Sequence, residues 1–302
     1  MPKKTKAVFF VFSMLLLASL ACSVSLDLGQ PTEIPGDPVA TSVAGTLAAR
    51  SGEEDPVPTD NPTQPPPAAP TEAIQPTETA APEPDVVFQC LSFSYPDALA
   101  ASVSAEVAAG EIDEYNPWSY PEHYLLRLEG YPLSDTFHEP AIRVYSAADF
   151  RAANDLVADR LDSLEAVLTN QPADPEVGVA HFFNAGQFVQ AQVAYLEFQS
   201  GSGVRFISQY GQAAYPIGWP HLFYTFQGLT ADGGYYISAV LPVTHPSLPH
   251  PDDVTVDQAF YDNFMTYAAE KETQLDGEAP GSFQPSLLLL DEMIASLRVE
   301  CE

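Results

Sequence analysis

Hydrophobic positions fall into three regimes along the chain of 302 residues. From Ala7 to Leu17 they are almost continuous (AVFFVFSMLLL). From residue 22 to 85 they are sparse and aperiodic, in a stretch rich in Pro, Thr, Ala and Glu that holds no aromatic residue. From Val86 to Glu302 they recur at intervals of two, or of three and four, the periods of strands and amphipathic helices.

The third regime predicts specific elements. VVFQCLSFSY (86–95) alternates and is rich in aromatic and β-branched residues, so it reads as a strand. HYLLRLEGY (123–131) reads as a strand followed by a turn, and AIRVYS (141–146) as another strand. PDALAASVSAEVAAG (96–110) supports two readings, because its alanines favour helix while VSAEVA alternates. Residues 146–170 form the clearest helix, capped by Ser146, with Phe150, Ala153, Val157, Leu161, Leu164 and Leu168 on one face. Two hairpins follow, one turning at Gly201-Ser202-Gly203 and one at Ala231-Asp232-Gly233-Gly234. Helices over 254–275 and 285–301 close the chain, the second opening at Pro285. The sum is an α+β fold: a mainly antiparallel sheet packed against helices in a single domain, 86–302.

The first regime reads as an address. Lys3, Lys4 and Lys6 precede the apolar run, and small residues follow it, which is the layout of a secretory signal. The run is shorter than the ~20 residues that a membrane-spanning helix needs. Ser19-Leu20-Ala21-Cys22 resembles the lipobox of bacterial lipoproteins, with Ser19 where that family favours leucine. The resemblance implies cleavage before Cys22, a diacylglycerol on its sulfur, and residence on the extracytoplasmic face of a cell-envelope membrane. The other reading is an ordinary secretory signal cut near Ala21. Residues 1–21 are then the signal peptide. Residues 22–85 are a lipid-anchored stalk too polar and proline-rich to fold alone, acting as a spacer or as a segment for a Pro-binding partner.

The order of elements in 86–302 resembles the layout of the photosystem PsbP proteins. GVRFISQYGQ with YTFQGLTADGGYYISAVLPVTHPSLP is similar to uncharacterised envelope lipoprotein domains. Such likeness implies a fold and carries no activity.

Charge and cysteines narrow the partners. Acids outnumber bases 41 to 11, a formal charge of −30, and loss of the three lysines with residues 1–21 takes it to −33. Nucleic acids and anionic lipid surfaces are poor partners for such a chain. Cys90 and Cys301 lie at the two ends of the domain, which in an extracytoplasmic protein invites a disulfide tying the first strand to the last helix. The alternative is two buried free thiols.

Chemical motifs are scarce. No phosphate-binding loop, HExxH, GxSxG or CxxC occurs, and no EF-hand spacing appears among the acids. THPSLPHPDD (244–253) places His245, His250, Asp252 and Asp253 within nine residues, as weak metal or general-base candidates. The competing role is a polar loop that caps the following helix. EIDEYNPWSYPEHY (111–124) clusters Tyr115, Trp118 and Tyr120 with carboxylates, and AYPIGWPHLFY (214–224) adds Trp219 and His221. Flat rings beside polar groups suit sugars or cations, and also suit packing on the core. The leading reading is a non-enzymatic, lipid-anchored module that needs no cofactor and binds an envelope protein or a small molecule. The alternative is an envelope hydrolase or metal-dependent enzyme using His245 and His250.

Overall fold

The computed structural model describes residues 83–113, 119–180 and 185–301. Cys22, Tyr115, Trp118, the signal and most of the stalk lie outside the described residues.

The fold is α+β. A three-stranded sheet holds β1 (Val86–Phe88), β2 (Leu91–Phe93) and the C-terminal β10 (Arg298–Val299), in the order β1-β2-β10. A seven-stranded sheet holds β3 (Ser102–Ala108), β4 (His123–Glu129), β5 (Ala141–Ser146), β6 (Gly186–Phe198), β7 (Gly201–Gly211), β8 (Phe223–Thr230) and β9 (Tyr235–Pro242). Its order is β3-β4-β5-β9-β8-β7-β6, and every pair is antiparallel. The helices are α1 (Ala147–Ala153), α2 (Asp155–Asn170), α3 (Gln258–Asp276) and α4 (Leu287–Ser296).

Both faces of the large sheet are covered. On one face Ile142, Leu126, Tyr224, Phe226, Ile237 and Leu241 pack with α3, α4 and the small sheet. On the other, Tyr145, Phe206, Phe223 and Tyr236 pack with Phe150, Val157, Leu161 and Leu164 of α1 and α2. β8 is buried along its whole length, including its polar residues Thr225, Gln227 and Thr230.

Several expectations are corrected in detail. Residues 86–95 are not one strand but a tight hairpin pairing Val86 with Phe93, and Gln89 takes φ 53° to make the turn. The alternation runs on through the turn and hides it. The ambiguous stretch 96–110 resolves as strand β3, because pairing with β4 overrides its alanine content. The long helix is two helices. Asn154 adopts φ −160° and ψ 111°, and its side chain accepts from the Leu156 and Val157 N–H groups as the cap of α2. The apolar spacing runs across the break unchanged.

Gly201 and Gly203 belong to β7, and the turn falls before them. A Cβ on Gly201 would lie 2.1 Å from the Leu229 carbonyl oxygen, and one on Gly203 2.3 Å from the Phe226 ring. These glycines serve close approach rather than turning. The second hairpin turns where expected, with Asp232 accepting from the Gly234 N–H at 2.9 Å. The third helix starts later than expected, at Gln258 with Asp257 as its cap. The last helix opens after Pro285, at Leu287, and ends at Ser296, leaving 298–299 to form β10.

Cys90 and Cys301 are bonded, with their Cα atoms 4.9 Å apart and a sequence separation of 211. The bridge joins the β1–β2 turn to the tail beyond β10 rather than to the last helix. The Glu300 N–H donates to the Cys90 carbonyl at 2.9 Å beside it.

One ion pair is buried under α4. Arg205 of β7 faces Asp291 of α4 at 3.3 Å, and the Tyr224 hydroxyl donates to the same carboxylate at 3.0 Å. The Arg205 guanidinium also donates to the Gln192 carbonyl. Gln192 sits at an irregularity of β6 with φ 57°. Its side chain donates to the carbonyls of Leu275 and Glu278, at 2.8 and 2.9 Å, and so clasps the end of α3.

Candidate ligand-binding site

The sheet face covered by α1 and α2 contains a row of polar residues. Register places Arg143 of β5 opposite Ser238 of β9, and Ser238 opposite Gln227 of β8. Gln227 is the hub. Its amide nitrogen donates to Thr225 Oγ1 at 2.6 Å and to Ser238 Oγ at 3.3 Å, and its carbonyl oxygen accepts from the Tyr236 hydroxyl. Thr225 in turn donates to the Ala239 carbonyl at 2.8 Å. Thr225, Gln227, Tyr236 and Ser238 are all buried, so this mutual satisfaction is what makes the row tolerable inside the core.

Arg143 ends the row and is half-buried. The other lysines and arginines of the described residues all have partners. Arg127 holds Glu106 and Glu139, Arg151 holds Asp162 and Glu165, and Arg160 donates to the Val179 carbonyl. Arg205 holds Asp291, Lys271 donates to Gln274, and Arg298 holds Glu300. Among the described residues Arg143 makes no hydrogen bond and no ion pair. Burial draws its pKa below the usual arginine value, yet a guanidinium stays charged at any ordinary pH.

Arg143 acts electrostatically on His123 and His138, and His221 acts on His138. The His123 ring is stacked on Tyr145 at 4.5 Å, and its Nδ1 lies 3.2 Å from the Pro121 carbonyl oxygen. Burial lowers its pKa, and the charges of Arg143 and Arg127 push it the same way. His138 meets Phe223 edge-on at 4.6 Å. Burial takes its pKa down to about 4, aided by His221 and Arg143. Burial also lowers His221.

Loops at the sheet's end add a rim of rings. Phe137 is 69% exposed and lies 5.1 Å from His221, which stacks on Tyr215 at 5.4 Å. Trp219 stacks on His250 at 5.3 Å and donates from Nε1 to the Ser134 carbonyl at 3.4 Å. The Phe137 N–H donates to the Pro220 carbonyl at 3.0 Å, tying the loop before β5 to the loop before β8.

Of the residues singled out from sequence, Tyr115 and Trp118 lie outside the described residues. Tyr120 pairs with Glu111 in an isolated bridge and meets His123 edge-on at 5.7 Å. Trp219 and His221 belong to the rim. The structure separates the two histidines of 244–253. His245 is buried, with Nδ1 2.7 Å from Ser247 Oγ and Nε2 2.9 Å from Ser282 Oγ. His250 accepts from the Asp252 N–H and caps the short turn at Pro251–Asp253. Among the described residues no group of three or more His, Cys, Asp or Glu side chains could hold a metal ion.

Sequence reasoning passed over Arg143, Thr225, Gln227 and Ser238. The available signal was polar residues at strand positions that alternation assigns to a buried face. It was not usable because the strand pattern alone does not say which layers cover each face of the sheet.

Comparison of the chain with protein-family models, with curated proteins and with solved structures finds no match in any of the three.

Proposed function

We propose that the chain is an extracytoplasmic lipoprotein, held to a cell-envelope membrane through lipid on Cys22 and spaced from it by residues 22–85. Its domain is a non-enzymatic module that binds a small molecule or an envelope protein. The observation that carries the reading is the rim of exposed and half-buried rings at the end of the sheet, Phe137, Tyr215, Trp219 and His221. The Cys90–Cys301 bond supports the compartment, because such bonds persist in oxidising surroundings. Among the described residues no helix is long and apolar enough to cross a membrane.

Two measurements test this. Growth with a tagged fatty acid should label the full chain and leave Cys22→Ser unlabelled, and an unlabelled wild type overturns the anchor. Thermal unfolding of the full chain with a panel of sugars, peptides and aromatic small molecules should show a raised midpoint that Trp219→Ala loses. A shift insensitive to Trp219→Ala moves the site elsewhere.

One observation favours an enzyme instead. Ser282 Oγ and His245 Nε2 stand at nucleophile-to-base distance, 2.9 Å. However, Nδ1 is held by Ser247 rather than by an acid, and Ser282 also donates to the Ala279 carbonyl at 2.6 Å. Both contacts suit a latch between the 244–248 loop and the 279–283 turn. Covalent labelling of Ser282 by a fluorophosphonate would favour the enzyme.

A further inference from the structure

We propose that the free edge of β3 receives an extended, basic segment of another protein as an additional strand of the large sheet. This surface is separate from the rim of rings. The rim precedes the first residue of β5, and this surface lies where β5 ends.

The first ground is a contrast between the two edges of one sheet. β6 forms one edge, and the fold protects it. Its register shifts twice, between Gln187 and Val189 and between Ala191 and Ala194. Its Gln190 N–H donates to Glu272 at 2.8 Å and its Gln192 N–H to Asp276 at 2.6 Å, so α3 takes up donors of that edge. β3 forms the other edge and has neither device. It pairs with β4 along all 7 of its residues without a shift. Antiparallel pairing turns the N–H and C=O of every second residue away from the partner strand. Among the described residues nothing bonds to those outward groups of β3. SVSAEVA holds no proline and no lysine, the residues that discourage a further strand. Its one charge, Glu106, is held by Arg127 at 2.6 Å.

The second ground is the cavity beside this edge. Val103, Ala105 and Val107 alternate onto one face, and the first two pack on the core that holds Leu126 and Leu128. Val107 stands opposite Tyr124. With Ile112, Tyr124 and Tyr235 it lines a cavity of about 480 Å³. Val107 is 44% exposed and Ile112 66%, so the apolar wall is open. A strand laid along β3 would carry every second side chain onto this face and bring one of them to that wall. Backbone bonds then supply affinity, and the cavity selects the side chain.

Charge selects the occupant. Glu122 and Asp149 also line the cavity, and no lysine or arginine does. A second copy of the chain would bring a further −30, which opposes pairing of like edges. A segment with lysine or arginine flanking its apolar residues fits both wall and charge.

Fluorescence anisotropy of the full chain with a labelled peptide, Lys-Thr-Val-Thr-Val-Thr-Lys, tests the proposal. Its valines and lysines share one face when extended. Two further versions carry N-methyl groups, one at the threonines and one at the lysines and valines. The parent should bind. One methylated version should lose binding about tenfold or more and the other should keep it, because only one set of N–H groups faces β3. A version with glutamates for lysines should bind at least about tenfold more weakly, and so should the parent to Val107→Lys. Urea midpoints confirm that this variant is folded. Absence of parent binding overturns the proposal, and so does an equal response to both methylation patterns. Equal binding of the glutamate peptide overturns the basic assignment. Self-association in sedimentation that Val107→Lys abolishes gives the edge to a second copy and overturns the partner assignment. Trp219→Ala should bind the parent peptide as the wild type does, and loss there overturns the placement at β3. The reading of the rim is decided separately, by the ligand panel with Trp219→Ala.

Discussion

Arg205 and Arg143 sit on one sheet, on strands separated by β9 and β8, and face opposite layers. Arg205 points towards α4, where Asp291 and the Gln192 carbonyl meet it. Arg143 shares its face with Tyr145 and points to the layer of α1 and α2, where no described group bonds to it. The first arginine is built into the fold, and its charge is answered within the chain. The second is half-buried and has no bonded partner among the described residues. The contrast teaches that a charge inside a protein is informative through its partners rather than through its burial.

The largest effect expected from this contrast is at Asp291. Asp291→Ala leaves Arg205 buried and uncompensated, and should cost about 3–5 kcal/mol in urea unfolding. Replacing both, as Arg205→Met with Asp291→Leu, should recover most of that loss. A small effect of the single variant would remove one side of the comparison.

Next comes the covalent closure on the Arg205 side. Cys90→Ser should lower stability by about 2–4 kcal/mol, since the bond closes a loop of nearly the whole domain. It should leave any Trp219-dependent shift with the ligand panel unchanged under conditions where the domain stays folded. Loss of that response would mean that the two layers are not independent.

The third is a pH effect on the Arg143 side. His138 titrates near 4 in the folded protein, against about 6.5 when unfolded. Between those values the unfolded chain takes up a proton that the folded chain refuses. The stabilisation is therefore complete above about pH 6.5 and is lost as pH falls towards 4. His123 and His221 are lowered too and act in the same direction. Asp291, raised by burial, acts in the opposite one. His138→Phe should flatten the fall by about 2 kcal/mol, read from urea midpoints across that range. An unchanged slope would show His138 to be solvated.

The smallest effect should be at Arg143 itself. Arg143→Leu should change stability by less than about 1 kcal/mol in either direction, because no hydrogen bond is broken. A loss as large as that of Asp291→Ala would make Arg143 a structural residue and dissolve the comparison.

The sequence made the α+β class legible through its alternation, and the tight turn at 231–234 through its Asp-Gly-Gly. The Cys90–Cys301 bond could be inferred from the position of two cysteines in a chain with a secretory start. The break at Asn154 could not, because Phe150 and Val157 keep helical spacing across it. What distinguishes Asn154 is a backbone angle and two accepted hydrogen bonds. Gly201 and Gly203 looked like turn residues because glycine serves both turning and close approach, and only the neighbouring strand tells them apart. AIRVYS reads as a strand, and nothing in it says what lies over Arg143. The second covering layer, which makes its position unusual, is assembled from α1 and α2, and nothing within β5 announces it.

The bond between Cys90 and Cys301 also has a mechanical consequence. Tension entering the domain at Val86 reaches Cys90 after four residues and passes at once to both ends of a covalent ring. Only β1 lies outside that ring, so a pull on the N-terminal tether can peel three strand residues from β2 and little more. A domain on a long tether could thus be tugged repeatedly without its sheet being drawn out, because the load is carried by sulfur before it reaches the ladder of hydrogen bonds.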